Sequence, residues 1–92
     1  MITKGLAQEI VNLGYSIRKD GIFLGKDGFS KPSYLATDPY SVEVDLADGS
    51  KHMFRIDQLV AALYMTKPEG TTRLVHKNQL QSDSSVDNLE WK

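Results

Sequence analysis

The residues able to do chemistry in this chain are few, and their types limit what that chemistry is. Cysteine is absent, so disulfides, thiolate zinc sites and cysteine nucleophiles are all excluded. Only two histidines occur, His52 and His76, far apart in sequence. A structural zinc site would need carboxylates to complete it, and none is expected. Asn78, Asp83 and Asp87 follow His76, but their spacing matches no metal-binding pattern. Gly25-Lys26-Asp27-Gly28 has spaced glycines that suggest a phosphate cradle. The spacing fits neither a P-loop nor a dinucleotide fingerprint, and no long helix follows, so turn chemistry is the reading adopted.

Charge sorts into two sets. Arg18, Lys19, Lys26 and Lys31 make the first third mildly basic; with Lys51 and Arg55 they form the candidate phosphate-contacting set. Glu43, Asp45, Asp48 and Asp57 make the middle acidic and form the candidate partner-binding face. The net charge is −1 and the sequence pI is about 6.0. A nucleic-acid binder usually carries a basic excess, because Lys and Arg must displace phosphate counterions. A mixed surface suits a protein partner at least as well.

These groups need a frame. With 92 residues, the chain is long enough for one small domain, residues 1–92. Charged residues make up 25% and hydrophobic residues 40%, ordinary values for a globular protein. There is no apolar run near the length that spans a bilayer. The N-terminal MITKGLAQEIVNLG lacks a signal peptide's continuous apolar stretch. The expectation is cytoplasmic, with no membrane association.

Residues 4–13 are expected to form an amphipathic helix, since Leu6, Ile10 and Leu13 share a face. Thr3 is its N-cap and Gly14 its stop. Residues 15–24 form a hairpin about Asp20-Gly21, and residues 25–33 a loop. Residues 40–46 alternate, with Tyr40, Val42, Val44 and Leu46 on one side and Ser41, Glu43 and Asp45 on the other. Residues 47–50 turn the chain and residues 52–56 return it. Asp57 opens a second helix as N-cap, and that helix buries Leu59, Val60, Leu63 and Tyr64. Residues 66–72 are a loop, 73–76 a short strand, 77–86 a polar loop, and 88–91 a second short strand. The fold class is α+β, with a helix-and-hairpin part (about 1–56) and a helix with two short strands (about 57–92).

Taken in order, these parts resemble a phage-type homing endonuclease of the HNH family. The second helix, Ile56-Asp57-Gln58-Leu59-Val60-Ala61-Ala62-Leu63-Tyr64, resembles that family's HRLVA.AF helix. Val75-His76-Lys77-Asn78, then Val86-Asp87-Asn88-Leu89-Glu90-Trp91, resembles its NHIDGNK.NN.VDNLEW motif, with eleven positions from His76 to Asp87. The stretch from Lys31 to Leu46 resembles the module that precedes the nuclease. The resemblance implies a ββα-metal fold in which His76 is the general-base position, and histidine suits that task because it titrates near neutrality. It also implies one divalent metal, held by the residue before that histidine and by a residue on a helix after the second strand. Asn88 would pin the loop that orients His76.

The chain departs from the pattern at the metal. Position 75 is valine, which cannot ligate. The sequence stops one residue after Trp91, before the expected ligand-bearing helix, so the expectation is a remnant lacking that helix. Gln79-Leu80-Gln81 replaces the family's Gly-Asn-Lys turn, and Asn78 stands where the family has Asp. A lone general base contributes roughly 10²–10⁴-fold, which leaves no useful rate against phosphodiester stability. The expectation is therefore no enzyme activity, no metal and no cofactor, with His76 a vestigial strand histidine and Trp91 a core aromatic. The leading functional reading is a phage accessory protein that binds or inhibits a host or phage protein of nucleic-acid processing or defence. A non-cutting DNA-binding module is the second reading. A metal-dependent nuclease, completed in a homo-oligomer by ligands from a second copy, is the third.

Overall fold

A computed structural model describes residues 2–29, 41–80 and 83–92. Two helices and three antiparallel strand pairs make a small α+β fold. The order is α1 (Lys4–Asn12), β1 (Ser16–Ile17), β2 (Phe23–Leu24), β3 (Ser41–Asp45), β4 (Lys51–Arg55), α2 (Ile56–Tyr64), β5 (Leu74–His76) and β6 (Leu89–Trp91). A 3-10 turn, Val86–Asn88, leads into β6. Each strand pairs with its chain neighbour: β1 with β2, β3 with β4, β5 with β6. No described helix is long and apolar enough to cross a membrane.

Local chemistry sets the boundaries. The Thr3 hydroxyl accepts from the Leu6 N–H at 3.1 Å and caps α1. Gly14, at φ 111°, ends it in a conformation that favours glycine. Asp20 accepts from the Ile22 N–H in the β1–β2 turn, and Gly21 supplies the positive φ there. In β3–β4, Glu43 lies opposite Met53 and Asp45 opposite Lys51.

The core lies where α1, α2, β3 and the first hairpin meet. Ile10, Leu59, Val42, Val44 and Val60 are its largest fully buried side chains, joined by Tyr15, Ile17, Phe23 and Leu89. Burying each such side chain stabilises the fold by about 1.5–3 kcal/mol. Three long-range hydrogen bonds tie the small hairpins to this centre. The Asp45 N–H donates to the Tyr15 hydroxyl at 3.0 Å. The Tyr64 hydroxyl donates to the Ile17 carbonyl. The Val86 N–H donates to the Lys19 carbonyl at 2.8 Å.

Several expectations need correction. Helix α2 begins two residues earlier than a cap at Asp57 implies, at Ile56, with Arg55 at the cap position and no side-chain capping bond. Asp57 sits in the first turn instead, because its carboxylate is drawn to Arg55 and His76. Tyr64 is 37% exposed, its hydroxyl reaching out to Ile17. Ser41 is buried with the core-facing valines. Trp91 is half-buried, opposite Leu74, with the Lys67 ammonium 5.6 Å from its ring centre. Lys31, Tyr40, Gln81 and most of the stretch from Lys31 to Leu46 lie outside the described residues.

Candidate nucleic-acid interface around an occupied histidine

Strand β5 has two faces, and the site uses both. Leu74 and His76 point inward, opposite Trp91 and Leu89 of β6. Arg73, Val75 and Lys77 alternate with them on the outer side. Arg73 and Lys92 exchange backbone hydrogen bonds of 3.0 and 2.8 Å, so the two residues are direct cross-strand neighbours. Val75 lies opposite Glu90.

Inside, His76 is bonded through both ring nitrogens. Nδ1 lies 2.9 Å from the Asp83 carbonyl and Nε2 lies 2.9 Å from Asp57 Oδ2. Asp57 in turn receives Arg55 in a forked pair, Nε to Oδ1 at 3.2 Å and Nη2 to Oδ2 at 3.1 Å. The Asp57 and His76 side chains are 5% and 7% exposed, against 34% for Arg55. Burial pushes the Asp57 carboxyl up. The hydrogen bonds from Arg55 and His76 and the Arg55 charge outweigh that push and hold it below the usual carboxylate range. Asp57 is thus ionised at neutral pH, and it only accepts. A carbonyl also only accepts, so the Asp83 carbonyl and the Asp57 carboxylate engage the two imidazole nitrogens, and His76 ends an Arg55–Asp57–His76 chain.

The loop after β5 is held by Asn88 and Asp83. Asn88 Oδ1 accepts from the Asn78 N–H at 3.0 Å, and its Nδ2 donates to the Asp83 carbonyl at 2.8 Å. Asp83 Oδ1 accepts from the Ser85 hydroxyl and N–H, and Oδ2 accepts from the Asn78 amide. The Ser85 hydroxyl is the main reason its carboxyl stays below the usual range. Gln79 turns the loop at φ 64°, a left-handed conformation rare outside glycine. Asn88 thereby fixes the carbonyl that fixes His76.

These donors do not fit a divalent metal. Residue 75 is an alkyl side chain, the Nε2 of His76 is spent on Asp57, and both Asp83 oxygens already accept from Ser85 or Asn78. No three His, Asp or Glu side chains converge among the described residues.

The basic and acidic sets named from sequence do not each form one face. Arg18 pairs with Asp20 at 2.6 Å. Lys19 stands over the Tyr64 ring and Lys26 over the Tyr15 ring, at 5.6 and 5.3 Å. Lys51 bridges Asp45 at 3.5 Å and Glu43 at 3.7 Å, inside the acidic face. Arg55 is fastened to Asp57. Of the acids, Glu43 and Asp45 share a strand face, and Asp48 sits in the following turn accepting from the Ser50 N–H. Asp57 leaves that group altogether: it is buried, because Arg55 and His76 replace the water it gives up.

Sequence reading passed over Arg73, Lys77 and Lys92. They line, with Val75, His76, Gln79 and Glu90, a shallow cleft of about 340 Å³ along β5–β6. A second cleft of the same volume, on the Leu74 and Trp91 side, is lined by Arg55, Asp57, Gln58, Thr72, Arg73, Leu74 and Trp91. The signal was present as Arg73-x-Val75-x-Lys77, a period-two pattern with cations on the outward positions.

No family model matches the chain, and no curated protein does. Among solved structures, it is similar to one described as "DNA binding and cleavage by the HNH homing endonuclease I-HmuI". The match has a TM-score of 0.68 at 22% sequence identity and covers 85% of this chain and 45% of that one. The chain therefore has an HNH-endonuclease-like fold, and it spans under half the length of that relative.

Proposed function

We propose that this chain is a DNA-binding module on an HNH-endonuclease-like scaffold that holds duplex DNA without cutting it. The observation that carries the reading is the arrangement on β5. Three cationic side chains, Arg73, Lys77 and Lys92, share the cleft with Glu90 and flank a histidine whose ring nitrogens are both occupied. Like charges directly opposite on paired strands are unfavourable, as Arg73 and Lys92 are here. A polyanion across the cleft relieves that repulsion.

Cutting demands a base with an open lone pair near the attacking water. His76 offers none while its two ring nitrogens are engaged by Asp57 and the Asp83 carbonyl. The donor set also does not fit the divalent cation that would stabilise charge on the scissile phosphate. The DNA-binding relative supports the choice of nucleic acid over a protein for this face. The acidic-face reading loses support, since Asp57 is buried and Lys51 neutralises part of what remains.

Fluorescence anisotropy with a labelled duplex of about three turns tests this, with and without Mg²⁺, followed by denaturing electrophoresis of the same samples. Salt-sensitive binding with unbroken strands is the expected result, and reversing Arg73 and Lys77 to Glu should weaken it and remove most of its salt sensitivity. Mg²⁺-dependent nicking that disappears in His76→Gln, or no binding at low salt, would defeat the proposal.

A further inference from the structure

The C-terminal end of α2 faces a different feature. Between α1, β1 and α2 lies a groove of about 600 Å³, lined among others by Lys4, Val11, Ile17, Arg18, Leu63 and Tyr64. It belongs to the other end of α2 from the Asp57–His76 chain. Seven residues separate Asp57 from Tyr64, roughly 10 Å of helix.

The groove has an apolar floor and a cationic rim. Val11 and Leu63 are half-buried and Tyr64 is 37% exposed, so ring and aliphatic surface remain open to a ligand. Lys4 and Arg18 line the edge, and the Lys19 ammonium stands over the Tyr64 ring. Asp20, which is not a lining residue, pairs with Arg18 at 2.6 Å and offsets that charge. Glu9, the acidic residue of α1, is not among the lining residues.

Two features choose the occupant. A phosphate backbone would engage the rim but has nothing to place on the floor, whereas an amphipathic peptide uses both. Addition of a strand along β1 is disfavoured, because the Tyr64 hydroxyl already takes the Ile17 carbonyl. That leaves recognition through side chains. We propose that this groove docks an acidic amphipathic helix of a protein partner, with apolar anchors one turn apart on Val11, Leu63 and Tyr64 and flanking carboxylates on Lys4 and Lys19. This surface is independent of the DNA-binding reading, so either can fail alone.

The test uses the intact chain. A displayed library of helical peptides is selected on it, and enriched peptides are labelled and titrated against the parent chain, Lys4→Glu/Lys19→Glu and Gln8→Glu. All three positions are exposed, so circular dichroism melts should stay within a few degrees of the parent. Enriched peptides should pair apolar residues one turn apart with Glu or Asp on either side. Their affinity should fall about tenfold or more in the double reversal and by a few-fold in Gln8→Glu, as like charges meet across the contact. Amide shifts in ¹⁵N spectra should map to residues 4–11, 16–19 and 63–64. The proposal is overturned if no peptide enriches, if affinity survives the charge reversal, or if shifts map to β5–β6. Loss of duplex affinity in the double reversal, with peptide affinity intact, would assign the groove to nucleic acid and also overturn it.

Discussion

Asp57 shows how one residue's meaning depends on partners distant in sequence. In the sequence it precedes an apolar run and looks like a helix cap. In the fold it is buried between Arg55, two positions away, and His76, nineteen positions away. Nothing local announces the second partner. Because the folded carboxyl titrates below its unfolded value, Asp57 contributes stability that is fully present above the unfolded pKa of about 3.9 and is lost as pH falls through the folded value. Asp57→Asn removes the buried charge, and with it the carboxylate that pairs with the Arg55 guanidinium. It should cost roughly 3 kcal/mol at pH 7, read as a lower urea midpoint. The variant's midpoint should also lose the parent's decline below about pH 4. An unchanged acid limb in Asp57→Asn would mean that other carboxylates carry it.

At the scale of elements, the first hairpin and the loop before β6 act together. Gly21 stands at φ 86°, and a Cβ there would lie 2.6 Å from the Ser84 backbone carbon. Gly21→Ala therefore meets both a disfavoured backbone conformation and rigid neighbouring backbone. It should destabilise by about 2 kcal/mol or more and break the Val86-to-Lys19 hydrogen bond. Hydrogen exchange would check this: amides of 83–88 should lose protection ahead of those in α1. Much of this layer was legible. Thr3 and Gly14 bounded α1, Asp20-Gly21 marked its turn, and alternation placed β3, because these signals act over a few residues. Ser41 and Tyr64 were misread, since their burial is decided by what packs against them. The outward cations of β5 went unnoticed because a strand this short shows only two of them, and Lys92 joins them through pairing rather than spacing.

For the whole molecule, a net charge of −1 argues against a DNA binder and the β5–β6 cleft argues for one. Local geometry prevails where charges are close, since fields from the far side are screened within about 8–10 Å at physiological salt. Affinity should still be modest, in the range of non-specific binders, because only three cations meet the phosphates. Counterion release then fixes the salt response. Three contacts give a slope of log K against log salt of roughly −2 to −3, which is a 15- to 60-fold loss of affinity between about 50 and 200 mM. Reversing Arg73 and Lys77 should flatten the slope to below about 1 in magnitude. Reversing Lys4 and Lys19 should leave it unchanged. A parent slope much steeper than −3 would mean that cations elsewhere also touch DNA, and the scattered Arg18, Lys19 and Lys26 would return as candidates. A slope near zero with measurable binding would mean that the contact is not to phosphate, and the DNA reading of the cleft would fail.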